Sequence, residues 1–156
     1  MNEPVIRRAA QQDSKKIFNL SNDPDVRAAS FNTAEIPWRE HTTWFSAILN
    51  NPKVLFLVAE CSTGFVGQVR FTQLTEEQAL LSISVTPEFR KTPYSVALLT
   101  QSLETLRDTF PNTREVIAKV RKENIRSQKF LEKLEFKKKT TQSEENAVVL
   151  ALVVSR

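Results

Sequence analysis

The sequence predicts an α+β fold in which one central, mixed and mostly antiparallel sheet is flanked by helices. Three observations carry this. Between Val54 and Val85, three strand-like segments follow one another across short turns, the pattern of an antiparallel meander. Apolar residues at helical spacing precede that block and follow it. The whole order is strand, two or three helices, three strands, helix, strand, helix and two strands.

Val5 to Ala9 reads as the first strand. Gln11 to Leu20 reads as a helix with Ile17 and Leu20 inward and Asp13 and Lys16 outward. Asn22-Asp23-Pro24 is a turn or cap, and Pro24 suits the first turn of a short second helix. From Pro37 to Asn50, Trp38, His41 or Thr42, Phe45 and Ile48 or Leu49 share a helical face. Val54 to Ala59 is short and continuously apolar, so it reads as a strand buried on both faces. Ser62-Thr63-Gly64 turns it into Phe65–Thr72, where Phe65, Gly67, Val69 and Phe71 share one face. Ala79, Leu81, Ile83 and Val85 alternate along the next strand, which Pro87 ends. Thr92 reads as an N-cap with Pro93 at the first helical position, and Leu99, Leu103, Leu106 and Phe110 mark the buried face until Pro111. Glu115–Arg121 is a strand with Val116, Ala118 and Val120 inward. Asn124–Leu134 is helical, and Phe136 and the run from Ala147 to Val154 supply two closing strands.

The 156 residues fit one domain spanning 1–156, and 40% hydrophobic residues suffice for its core. No apolar run reaches the roughly 20 residues of a membrane span. The opening Met1-Asn2-Glu3-Pro4 lacks a signal-peptide pattern. One cysteine, Cys61, can form neither an internal disulfide nor a cysteine metal cage. A reducing cytoplasm fits best, and no metal is expected. The net charge of +4 is dispersed except around Lys119–Lys139. That stretch has few aromatics to stack on bases, so nucleic acid is a distant option and an anionic small molecule serves equally well. With only Gly64 and Gly67, every glycine-rich phosphate loop is excluded.

Three segments then stand out. Val85-Thr86-Pro87-Glu88-Phe89-Arg90 ends the third strand of the meander, Arg90-Lys91-Thr92-Pro93-Tyr94-Ser95 opens the long helix, and Asn124-Ile125-Arg126-Ser127 leads to Leu134-Glu135-Phe136. In this order they resemble the GNAT superfamily of acyl-CoA N-acyltransferases across roughly Val5 to Val154. The resemblance implies the GNAT fold and acetyl-CoA as cosubstrate. It implies a strand that splays from its neighbour, with backbone near Val85 pairing with the pantetheine arm. It places Arg90, Lys91, Thr92, Tyr94, Ser95 and Val96 at the pyrophosphate, and Asn124, Ser127 and Phe130 beside the cofactor.

A helix N-terminus holds a pyrophosphate through unpaired N–H groups and its dipole. The family's two glycine positions are here Pro93, which has no N–H, and Ser95, which adds bulk. The N–H groups of Tyr94, Ser95 and Val96, with Arg90 and Lys91, could compensate. Glu135 replaces the family's glycine before Phe136, a position that bears on a turn. Leu131 stands where many members have a tyrosine that protonates the leaving thiolate. A thiol's ordinary pKa near 8.5 still permits unassisted departure.

Aminolysis also needs a route for the ammonium proton. His41, the one histidine, and Glu88 are candidate bases, as is Glu60, with Ser82 and Ser84 as a water path. For the acceptor, Arg27, Ser30, Asn32, His41 and Trp44 resemble the opening of GNAT enzymes that acetylate nucleotide-linked amino sugars in pseudaminic-acid-type pathways. Arg27 could grip a phosphate, Ser30 and Asn32 could meet hydroxyls, Trp38 or Trp44 could stack on a ring, and Arg70 could contact an anion. The expected function is acetyl transfer to a primary amine of a small molecule, with a homodimer left open. A catalytically weak GNAT-fold binding module is the alternative that Pro93, Ser95, Leu131 and Glu135 favour.

Overall fold

A computed structural model describes residues 3–139 and 146–154. Met1 and Asn2 of the N-terminal reading lie outside them. The expected order of elements is present: β1 Val5–Arg8, α1 Ser14–Ser21, α2 Pro24–Ala29, α3 Trp38–Leu49, β2 Val54–Cys61, β3 Gly64–Thr75 and β4 Gln78–Val85. After these come α4 Pro93–Thr109, β5 Glu115–Arg121, α5 Ile125–Lys133, β6 Lys137–Lys138 and β7 Ala147–Val153. The strands form one seven-stranded sheet in the order β1-β2-β3-β4-β5-β7-β6 among the described residues. Only β4 and β5 run parallel.

β2 is buried on both faces, as its unbroken apolar run predicts. Leu55, Leu57 and Ala59 join a core with Leu98, Leu99 and Leu106 of α4 and Leu131 of α5. Val54, Phe56 and Val58 join a second core with Ile17 of α1 and Phe45 of α3. The sheet therefore separates α4 and α5 from α1 and α3.

Four local expectations are corrected. Asp13 is buried at 1% exposure, because both its oxygens accept from Arg7 at 2.8 Å and it also receives the Ala10 N–H. Phe65 does not share a face with Gly67, Val69 and Phe71. The register slips between Ala59 and Glu60, leaving Val66 as an extra residue of a β-bulge. Val66 then enters the α4 core while Phe65 packs on the other. Thr92 sits at the N-cap, but its hydroxyl donates to the Phe89 carbonyl instead of capping α4. Phe136 precedes the two-residue β6 and fills the core.

Glu135 adopts φ +76°, the left-handed region. Its N–H reaches Glu132 O and that of Phe136 reaches Leu131 O, which together close α5 in a Schellman motif. The glycine expected there is thus a backbone requirement, met by a glutamate at a steric cost.

Candidate active site

β4 pairs with β5 only from Gln78 to Leu80, against Glu115 to Ile117. Beyond this the two strands part, so the later residues of β4 carry backbone groups with no β5 partner. Val85, expected to meet the cofactor, ends that open edge. Its carbonyl, however, accepts from Arg90 Nε at 2.9 Å.

Past the strand end, Lys91 turns the chain with φ +59° into α4. The N–H groups of Lys91, Thr92 and Tyr94 have no acceptor among the described residues. They stand at the positive end of the dipole of a 17-residue helix, donors that an anion could take up despite Pro93. The expected Ser95 donor is spent, because its N–H and hydroxyl both go to Thr92 O. Arg90 is committed too: NH2 to Asp23 at 2.9 Å and NH1 to Asp25 at 3.0 Å. Tyr94 packs edge-on against Phe89. On α5, Asn124 Oδ1 caps the helix through Ser127 N–H, and Phe130 lies partly buried against the core. Leu131 is buried at 2% and offers no proton.

On the opposite face of the sheet lies a pocket of about 410 Å³. Its floor is the polar face of the central hairpin: Gln68 and Arg70 of β3 beside Ser82 and Ser84 of β4. Its walls include Arg27, His41 and Trp44, with Glu40 exposed at the rim. Sequence reasoning found Arg70, Ser84 and Trp44 but missed Gln68. The signal was available, since Gln68 and Arg70 alternate with the apolar Val69 and Phe71.

The structure separates the remaining candidates. Arg27 borders the pocket, but its donors go to the carbonyls of Ser21, Asn32 and Ala34 and to Ser30 Oγ. Ser30 Oγ donates to Val26 O, and Asn32 Oδ1 accepts from Ala34 N–H. These contacts shape the loop after α2, while the Asn32 Nδ2 amide keeps no partner among the described residues. His41 is buried at 2% among Phe18, Trp38, Trp44 and Phe45, and its Nε2 meets Ser14 O at 2.9 Å. Burial holds its pKa below the usual imidazole value. Glu88 lies exposed on the turn after β4, away from the pocket lining. Glu60 is bound by Arg7 and Lys16, which together with the Arg7 hydrogen bond keep its carboxyl below the ordinary range. Neither glutamate is placed to work as a base.

The basic run from Lys119 to Lys139 is spread over β5, α5 and β6. Lys139 pairs with Glu115 and Arg121 with Glu123. Arg121 also donates to the carbonyls of Ala28 and Ser30. α2, which has no buried residue, is therefore clamped at its start by Arg90 from the turn after β4 and at its end by Arg121 from β5. Among the described residues no helix is long and apolar enough to cross a membrane.

Residues 5–137 match the profile of the acetyltransferase (GNAT) domain. Among solved structures, the spermidine N-acetyltransferase from Vibrio cholerae, in complex with CoA and spermine, superposes with a TM-score of 0.84. It is 17% identical, over 97% of this chain and 95% of that one. An N-acetyltransferase from Staphylococcus aureus gives 0.79 at 19% identity, over 97% and 99%. A putative acetyltransferase from Salmonella typhimurium, with its cofactor acetyl-CoA, gives 0.78 at 16%, over 99% and 96%. At these identities the likeness is one of fold. No curated protein sequence matches. The chain belongs to the GNAT family of acetyltransferases.

Proposed function

We propose that this GNAT-family chain transfers the acetyl group of acetyl-CoA to a primary amine of a small molecule. The observation that carries the reading is the gap between β4 and β5, with the free N–H groups of Lys91, Thr92 and Tyr94 just beyond it. The open edge of β4 near Val85 suits an extended pantetheine amide chain, and the head of α4 suits a pyrophosphate. Asn124, Ser127 and Phe130, in the α5 segment that follows β5, are assigned to the cofactor with them, and Lys91 adds a cation. Arg90 acts here as a positioning residue, since its guanidinium already holds α2.

In the reaction the amine nitrogen attacks the thioester carbonyl carbon, a C–N bond forms and the C–S bond breaks. The ammonium proton passes to water along the hydroxyls of Ser82 and Ser84, towards Glu40 at the rim. The thiolate departs without a side-chain acid, because Leu131 supplies none, and takes its proton from solvent. His41 fixes the α3 wall instead of taking the proton. A nucleotide-linked amino sugar is the finer form of this reading, with Trp44 for its ring and Arg70 for its phosphate.

Calorimetric titration with acetyl-CoA and CoA, followed by thiol-release assays with small amines, tests the proposal. Micromolar binding with acceptor-dependent thiol release is the expected result. Absence of binding at millimolar acetyl-CoA would return the chain to a binding module.

A further inference from the structure

The pocket contains two unmet polar groups on one strand. Arg70 is partly buried, yet no carboxylate or carbonyl accepts from it among the described residues. Its guanidinium lies 5.0 Å from the Trp44 ring centroid and 5.7 Å from that of Phe56. Ring faces offset part of the cost of removing a cation from water, but they satisfy none of its N–H donors. Burial accordingly pulls its pKa down from the usual guanidinium value. The second group is Gln68, exposed at only 5%. Its Nε2 donates to Ser84 Oγ at 3.2 Å, while its Oε1 is buried without a donor. An unsatisfied buried acceptor costs about 1–3 kcal/mol, so a site that keeps one is built for a partner.

Register orders these groups along the reaction axis. Gln68 faces Ser84, next to the open end of β4, whereas Arg70 faces Ser82, one step deeper. Residues two apart on a strand lie about 7 Å apart on the same face. A ligand presenting an N–H to Gln68 and an anion to Arg70 would satisfy both, with its amine towards the acyl carrier. Arg27, the other arginine on the lining, already engages all three of its guanidinium nitrogens within the chain. Glu40 is the single acidic residue on the lining, and it stands exposed at the rim. Such a lining offers a polycation little.

We propose that Arg70 is the anion-binding residue of the acceptor pocket, and that the acceptor is a compact amine carrying a carboxylate or phosphate close to its reacting nitrogen. This rests on the acyl-transfer reading above for the identity of the reaction, but not for the anion site itself.

Matched acceptors test it with the full chain. With acetyl-CoA, 4-aminobutyrate is compared with 1,4-diaminobutane, and glucosamine 1-phosphate with glucosamine. The anionic member of at least one pair should show a kcat/KM about 10-fold higher or more. The pair that does so tells a carboxylate from a phosphate. Arg70→Leu should abolish that preference chiefly through KM, and Arg70→Lys should restore part of it. Trp44 lies beneath the guanidinium, so tryptophan fluorescence reads the site without any turnover. Saturable quenching by 4-aminobutyrate or glucosamine 1-phosphate should appear in the parent chain and disappear in Arg70→Leu. A preference for the diamine or for spermidine, or quenching unaltered by Arg70→Leu, would overturn the proposal. So would the absence of saturable binding by either anionic amine at millimolar concentration. If acetyl-CoA itself fails to bind, the acyl-transfer reading falls while the fluorescence titration still decides the anion site.

Discussion

Arg90 NH2 lies 2.9 Å from Asp23 Oδ2, an ion pair between the turn that follows β4 and the residue that N-caps α2. Both side chains are less than a fifth exposed, so solvent screens the pair only in part. A double-mutant cycle with Arg90→Ala and Asp23→Asn should give a coupling of about 1–2 kcal/mol in urea unfolding. The acceptor KM should rise in both single variants, since α2 walls the pocket. A coupling near zero would show that the pair is inert.

His41 is expected to hold structure, not a proton in flight. His41→Gln should keep kcat/KM within about 5-fold, against the 10²–10⁴ that a lost general base costs. Burial lowers the folded pKa of His41, so its contribution to stability is complete above the unfolded value, about 6.5. That contribution falls as pH drops from there through the folded value, because the unfolded chain takes up the proton first. Chemical unfolding between pH 5 and 8 checks the sign. A hundredfold loss of activity in His41→Gln would make His41 the base after all.

Asp13 has the same sign in a more acidic window. The Arg7 hydrogen bonds hold its folded pKa below the ordinary carboxylate value. Its stabilisation is present above about pH 3.9 and is lost as pH falls through the folded value. Asp13→Asn should cost about 2 kcal/mol at pH 7, discounted for the partial exposure of Arg7. The gap between variant and parent should narrow steadily in acid unfolding curves.

Glu135→Gly should stabilise the chain by about 1 kcal/mol, since glycine occupies the left-handed region without a Cβ penalty. For a chain of this size the melting temperature should climb by about 2–4 °C. An unchanged or lower value would mean that the glutamate side chain offsets its own strain.

Gly67→Ala should do the reverse. A Cβ there would run into the Ser84 carbonyl oxygen and crowd Val85 Cα at 3.1 Å. The obstacles are backbone, so β3 and β4 must part, at a cost of about 2 kcal/mol or more. Acetyl-CoA affinity should weaken with it, because the same shift moves Val85. Differential scanning calorimetry and cofactor titration read the two effects separately.

The sheet and α4 were legible because their signals are local: alternation in β4, an unbroken apolar run in β2, and Thr92-Pro93 ahead of leucines at helical spacing. The splay followed from the resemblance and not from periodicity, since no property of Leu81–Val85 says where pairing with β5 ceases. What stayed hidden depends on partners far away in the chain. Asp13 reads as a solvated helix residue until Arg7 is seen forking onto it. Arg27 and Arg90 read as free cations for a phosphate, whereas each guanidinium nitrogen already has a partner within the chain. The bulge at Val66 shifts Phe65 to the other face, and a strict period of two cannot announce it.

α2 is a rung pinned at both ends across the mouth of a wedge. One pin comes from each lip, and neither is hydrophobic. Widening the wedge therefore pulls on the wall of the acceptor pocket, so the two halves of the site share a mechanical link. Both pins are short contacts, 2.9 Å for the ion pair and 2.8 and 3.3 Å for the carbonyl bonds, well inside the roughly 10 Å over which 0.1 M salt screens charge. Moderate salt should thus leave the coupling between carrier side and acceptor side in place, whereas removing either guanidinium should release it.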